Sequence, residues 1–122
     1  MTLLNDLFFI TQKETSPDSV KAKITINENH KIFEGHFPGN PVVPGVCMVQ
    51  IILEIMEDVV GKPVRLTESE TIKFLTVMSP KENKEIDVSI NYIAEPGKFS
   101  INANLFSGAV IFFKLKGVLM IG

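Results

Sequence analysis

The sequence predicts an α+β fold in which a curved antiparallel sheet wraps around one long central helix. Three observations lead there. Only one stretch, from about Pro44 to Val60, is apolar around nearly its whole circumference and framed by helix-ending residues. Most other segments alternate apolar and polar residues with a period of two, the signature of half-buried strands. The later strands are joined by short turns, which makes neighbours antiparallel. A long apolar helix has to be buried by the one sheet available.

Taken in order, Leu3 to Thr11 reads as a short lead-in followed by a strand over Leu7 to Gln12, because Asn5 and Asp6 interrupt it. Thr15-Ser16-Pro17-Asp18 is a turn cluster. In Ser19 to Ile26, Val20, Ala22, Ile24 and Ile26 share one face, which predicts a second strand closing a hairpin. Asn27 to Asn40 is a polar loop ending in Pro and Gly. In the helix, Pro44 suits the first turn, where a missing N–H costs nothing. Gly61 suits the position past the end, with Pro63 beyond. Its polar stripe is Gln50, Glu54, Glu57 and Asp58, at spacings of three and four.

Val64 to Met78 is one long strand or two joined at a bulge, and Ser79 to Lys84 is a turn. Ile86 to Tyr92 alternates, Glu95-Pro96-Gly97-Lys98 turns, and Phe99 to Leu105 alternates again. After a turn at Ser107-Gly108, Ala109 to Ile121 forms the last strand. So small a sheet leaves edges to pair or cover, and dimerisation through an edge is expected.

Composition narrows the function. The chain has 122 residues, fitting one domain over residues 1–122, with 45% hydrophobic and 21% charged residues and a net charge of -2. Arginine occurs once, at Arg65, and no basic stripe points to nucleic acid. The lone cysteine, Cys47, allows no intrachain disulfide and gives no metal spacing. No signal-peptide pattern opens the chain, and no apolar run reaches the roughly 18–20 residues of a membrane span. These readings point to a soluble, cytoplasmic protein that binds neither membrane nor nucleic acid.

The reaction site is expected within His30 to Glu57, which carries both histidines of the chain. His36 sits in a loop stiffened by Pro38, Gly39, Pro41, Pro44 and Gly45, and an imidazole on rigid backbone beside a helix start is suited to general-base work. The first N–H groups of the helix, at Gly45 and Val46, have no internal partner and can hold a developing oxyanion. His30 reads as a solvated loop histidine and Cys47 as a small core residue, although a helix's first turn favours thiolate. Lys73 reads as a surface strand residue. Glu54 leaves two readings open: a buried functional acid, or one member of the solvated stripe.

The run Gly35-His36-Phe37-Pro38-Gly39-Asn40-Pro41-Val42-Val43-Pro44-Gly45-Val46 resembles the GHFPxxPxxPGV signature of the 3-hydroxyacyl-[acyl carrier protein] dehydratases, the hot-dog enzymes of fatty-acid synthesis. Lys73-Phe74 and Pro80 resemble the K/R-F strand and the proline turn that follow the helix in those enzymes. The resemblance is tight over Phe33 to Val46 and weaker along the rest of the chain.

It implies a hot-dog fold, a dimer with one continuous sheet and two interfacial sites, and a substrate carried by acyl carrier protein on phosphopantetheine, with no cofactor or metal of the enzyme's own. It implies His36 as the base that takes the α-proton of a 3-hydroxyacyl thioester. Gly45, with Val46, would polarise the thioester carbonyl, and Phe37, Pro38 and Pro44 would shape the loop. It also implies a helix carboxylate from the other protomer, four residues after the signature valine. Here that residue is Gln50, and Glu54 follows one turn later, the reverse of a common family order of acid then glutamine. An amide hydrogen-bonds a hydroxyl or a water but is no general acid.

The lead-in also lacks the HRYPFLL-type segment of housekeeping members, so the chain reads as a compact, divergent relative. The expectation is a dehydratase in which Gln50 binds the leaving water or Glu54 donates the proton. The alternatives are an acyl-thioester-binding or partner subunit of a hot-dog heterodimer, and an acyl thioesterase.

Overall fold

A computed structural model of the chain describes residues 2–34 and 41–122. Six strands and one long helix follow in the order β1 (Phe8–Ser16), β2 (Ser19–Ile26), α1 (Gly45–Val60), β3 (Val64–Phe74), β4 (Glu85–Glu95), β5 (Lys98–Ser107) and β6 (Val110–Ile121), with a 3₁₀ turn at Lys31–Phe33 before the helix. The strands form one antiparallel sheet in the spatial order β1-β2-β4-β5-β6-β3.

Period-two alternation builds the inner face. Ala22 lies opposite Val88, Val88 opposite Leu105, Leu105 opposite Phe113, and Phe113 opposite Phe74. The first four of these are buried, whereas Phe74, at the end of the row, is 56% exposed. Against this face α1 buries Cys47, Met48, Ile51, Ile52, Ile55 and Met56. At about 25 cal/mol per Å² of apolar surface removed from water, each large side chain so buried contributes on the order of 1.5–3 kcal/mol before entropy is counted. Most of the helix's stability therefore comes from this contact rather than from propensity, because its many β-branched residues are mediocre helix formers.

The helix ends follow the sequence. Pro44 is the N-cap, in extended conformation. Gly61 closes the C-terminus with φ 73° and donates its N–H to Glu57 O at 2.8 Å. Glu57 also accepts from Val64 N through its side chain, at 2.9 Å, which ties the helix end to the start of β3.

The structure departs from expectation in three places. β1 runs on to Ser16, so only Pro17 and Asp18 separate it from β2. Its second half, Lys13 to Ser16, is exposed and polar, and so carries no hydrophobic period to read. Val64 to Met78 is a single strand that ends at Phe74, with register shifts at Leu66/Glu68 and Ser69/Thr71. Gly117 of β6 permits the bulge in β3, since a Cβ there would collide with the carbonyl oxygen of Glu68. Finally, His30 is no solvated loop histidine. Its side chain is 9% exposed, Nε2 lies 3.1 Å from Asp6 Oδ2, and Nδ1 accepts from Ile32 N at 3.0 Å, capping the 3₁₀ turn.

β1 and β3 are the outer strands. Their charged residues and bulges are the usual means of keeping an edge from indiscriminate pairing.

Candidate active site

The site is organised by the start of α1. The N–H of Cys47 turns back to Pro44 O at 3.0 Å and that of Met48 to the same oxygen at 3.3 Å. Gly45 and Val46 stand ahead of these, and the helix has no preceding carbonyl for their N–H groups. Proline at the cap has no side-chain donor or acceptor, so Pro44 itself makes no side-chain cap. Val46 is 68% exposed. Two N–H groups at the positive end of a helix dipole can hold a carbonyl oxygen as charge develops on it.

Beside this helix end lies an open apolar groove of about 440 Å³, lined by Val42, Val43, Gly45, Met48 and the run Phe74 to Val77. Two backbone hydrogen bonds hold it in place. Val43 N donates to Met78 O at 2.9 Å, and Leu75 N donates to Phe112 O at 2.9 Å. The Phe74 ring forms one wall. It stacks at 36° on Phe113, with centroids 5.3 Å apart, and touches the backbone of Gly45. Phe74, Leu75 and Val77 are each at least half exposed, so the groove is apolar yet open on one side.

His36, Phe37 and Pro38 lie outside the described residues. Phe33, just before, and Pro41 and Val43, just after, are buried.

Gln50 and Glu54 are brought into direct contact. Gln50 Nε2 donates to Glu54 Oε2 at 2.8 Å. Glu54 is 5% exposed, which rules out the solvated-stripe reading, although Asp58 of the same stripe is exposed. Its carboxylate takes the N–H of Leu3 on both oxygens, at 2.8 and 2.9 Å, and the N–H of Leu4 at 2.7 Å. A buried carboxylate needs such donors to offset its desolvation. These partners were not foreseeable, because backbone N–H groups leave no mark on the sequence.

Cys47 is fully buried under the sheet, and burial pushes its thiol up from the ordinary range, overriding the pull of the helix start. Lys73 is exposed, as expected. Among the described residues no three His, Cys, Asp or Glu side chains gather in a cluster able to hold a metal ion, and no helix is long and apolar enough to cross a membrane.

A helix held against a six-stranded antiparallel sheet is the hot-dog fold, shared with dehydratases of known structure. A chain of the dehydratase heterocomplex ApeI:P from Xenorhabdus doucetiae superposes with a TM-score of 0.72 at 17% identity, over 92% of this chain and 96% of that one. The dehydratase domain from the CurJ module of curacin polyketide synthase superposes at 0.60 and 18% identity, over 93% of this chain and 41% of that one.

Residues 12–109 match the model of the ApeI-like family, described as ApeI dehydratase, and the chain belongs to that family. Among curated relatives, the 3-hydroxyacyl-[acyl-carrier-protein] dehydratase FabZ of Fusobacterium nucleatum subsp. nucleatum is 27% identical over 99 residues, covering 73% of this chain and 70% of the relative. The FabZ of Caulobacter vibrioides is 31% identical over 101 residues, covering 81% of this chain and 57% of that protein's length.

Proposed function

We propose that this chain takes part in the dehydration of 3-hydroxyacyl thioesters, carried on the phosphopantetheine arm of an acyl carrier protein, to trans-2-enoyl thioesters. The observation that carries this reading is the helix start at Gly45 and Val46, the last two residues of the dehydratase signature, where Gly45 lines an apolar groove. Membership of a dehydratase family supports the same class of reaction.

In this reading the thioester carbonyl oxygen binds the N–H groups of Gly45 and Val46, and the acyl chain lies along the groove wall formed by Met48 and Phe74. His36 takes the α-proton. The electron pair left behind forms the Cα–Cβ double bond as the Cβ–O bond breaks, and the hydroxyl leaves as water after receiving a proton. No cofactor or metal is needed. The setting is cytoplasmic, where carrier-bound acyl chains are made.

The proton delivered to the hydroxyl decides between two forms of the proposal. In the first, a homodimer suffices, and the proton comes from His36 after it has taken the α-proton. In the second, the chain is one half of a hot-dog heterodimer, and a carboxylic acid on the other subunit delivers the proton. The contacts of Glu54 favour the second, since its carboxylate is already committed to Leu3, Leu4 and Gln50. The exposed side chains of Val46, Phe74 and Val77, together with β3 as an outer strand, support assembly across this face. The relative from Xenorhabdus doucetiae is itself a heterocomplex.

Hydration of a trans-2-enoyl thioester on carrier protein tests the proposal in the reverse direction. Turnover by the purified chain establishes the homodimer form, and turnover only after co-expression with a second hot-dog chain establishes the heterodimer. In either case His36→Ala should lower the rate by about two to four orders of magnitude. Absence of turnover in both preparations overturns the proposal, and release of free thiol in its place identifies a thioesterase.

A further inference from the structure

The groove beside the helix start has a rim and a deep part. Phe74, Leu75 and Val77 are each at least half exposed and stand at the rim. Met48 and Val43 line the same groove at 4% and 1% exposure, so they lie at its depth. The two differ in what they limit. Val43 is short and β-branched, and its N–H is tied to Met78 O, which makes it a fixed side wall. Met48 is the long, unbranched side chain of the pair, on the first turn of α1. It stands three residues after Gly45, about 4.5 Å further along the helix axis and on the same face. One turn beyond comes Ile52, fully buried in the same core as Phe113 of the sheet. A chain that enters at Gly45 and runs along the helix therefore meets Met48 before it meets the core.

We propose that Met48 is the residue that sets acyl-chain length: its side chain closes the deep end of the groove and separates it from the packed interior between α1 and the sheet. This rests on the dehydratase reading and adds to it a limit on the substrate. Methylenes of the acyl chain gain apolar contact until the chain end reaches the Met48 thioether. Each one taken out of water favours binding about fourfold. Past that point a further methylene has to displace a side chain embedded in close-packed surroundings, and overpacking cancels the gain from burial. The groove thus takes chains well up to one length and poorly beyond it. Truncating Met48 extends the groove into space the thioether now fills, and enlarging it shortens the groove.

Enoyl hydration measured over a series of trans-2-enoyl thioesters of increasing length, on carrier protein, tests this in the assembly that turns over. In the wild type kcat/KM should rise about fourfold per methylene to a break and fall after it. Met48→Ala should move the break to longer chains by at least one step of the series, and Met48→Phe should move it to shorter ones. Met48→Leu conserves volume and should leave it in place. Leu75→Ala, at the rim, should change the rate for every length by a similar factor without moving the break. Where Met48→Ala fails to fold, Met48→Val keeps more of the core and should shift the break in the same direction.

A break at the same length in every folded Met48 variant overturns the proposal, as does an equal shift in Leu75→Ala or a wild-type series with no break. Absence of turnover at every chain length in every wild-type assembly sinks the dehydratase reading and this role with it. Turnover with an immobile break sinks this role alone.

Discussion

The ring of Phe74 rests on the backbone of Gly45, close enough that a Cβ on Gly45 would lie 2.7 Å from Phe74 Cε1 and 2.8 Å from Cζ. One wall of the groove and the first residue of the helix are therefore fitted to each other. Phe74 is 56% exposed, so the ring has room to move. Gly45→Ala should consequently cost little stability, with helix propensity offsetting part of the clash by up to about 1 kcal/mol. The ring moves instead, and the groove changes shape. We expect a raised KM for a long-chain enoyl thioester in Gly45→Ala, and little further effect of that substitution in a Phe74→Ala background. Steady-state kinetics of the four proteins check it; equal KM in Gly45→Ala and wild type would show that the ring is not a wall of the site.

Gly117 presents the opposite case. A Cβ there meets the backbone carbonyl of Glu68 and the Cα of Ser69, and backbone cannot swing aside as a ring can. Gly117→Ala should force β3 away from β6 at the bulge and destabilise by about 1–3 kcal/mol, the usual cost of overpacking. Urea denaturation measures this directly. A midpoint unchanged from wild type would mean that the bulge relaxes without loss.

His30 holds the approach to the signature loop. Its Nδ1 accepts from Ile32 N, and its Nε2 faces Asp6 on the lead-in. His30→Ala removes a cap and should cost about 1 kcal/mol, and His30→Asn should recover most of it because asparagine is a good cap residue. Thermal melts of the three proteins decide this. Equal losses in both variants would place the stabilisation in the Asp6 contact rather than the cap.

The balance between what the residues alone reveal and what they hide follows from the kind of interaction involved. β2 and the helix with its two caps were legible residue by residue, because hydrophobic period and Pro/Gly positions are local signals. The second half of β1 was not, since an exposed edge strand of Lys, Glu and Thr has no apolar face. The place of Gly45 and Val46 at the start of the helix was legible from helix-end physics. The sequence placed Gln50 and Glu54 one turn apart, but not the burial of Glu54. That burial depends on Leu3 and Leu4, about fifty positions away, contributing only backbone N–H groups. The remote contact of His30 was hidden for the same reason, as Asp6, which faces its Nε2, lies on a turn far away in sequence.

Cys47 offers a test of the core that needs no activity. It is fully buried, and burial raises its thiol above the ordinary value of 9.0. The native thiol should resist disulfide reagents at pH 8 and react promptly once the protein is unfolded. The sign of the linkage follows. The unfolded chain ionises at lower pH than the native one, so above about pH 9 the unfolded state binds fewer protons, and stability falls as pH rises. Below that range both states hold the proton and the contribution is constant. Rapid labelling under native conditions would show that the helix start opens readily.

Exchanging the two polar residues of the helix tests the assignment of the missing acid. In Gln50→Glu/Glu54→Gln the hydrogen bond between them survives with its polarity reversed, since the amide at 54 now donates to a carboxylate at 50. The amide oxygen at 54 remains available to the N–H groups of Leu3 and Leu4, which hold the native carboxylate at 2.7–2.9 Å. The buried charge moves from a fully enclosed position to a half-buried one, so stability should be kept within about 1–2 kcal/mol or rise. A carboxyl group then stands where the native chain has an amide, one turn after Val46 and outside the clamp that commits Glu54. If the native chain depends on a second subunit for its proton, the exchanged protein alone should hydrate an enoyl thioester at least tenfold faster than the native chain alone. Gln50→Glu by itself should do less, because two carboxylates one turn apart on a helix repel each other. Equal rates in the exchanged and native chains, with both folded by circular dichroism, would show that position 50 does not face the hydroxyl and would remove the basis for a partner-supplied acid.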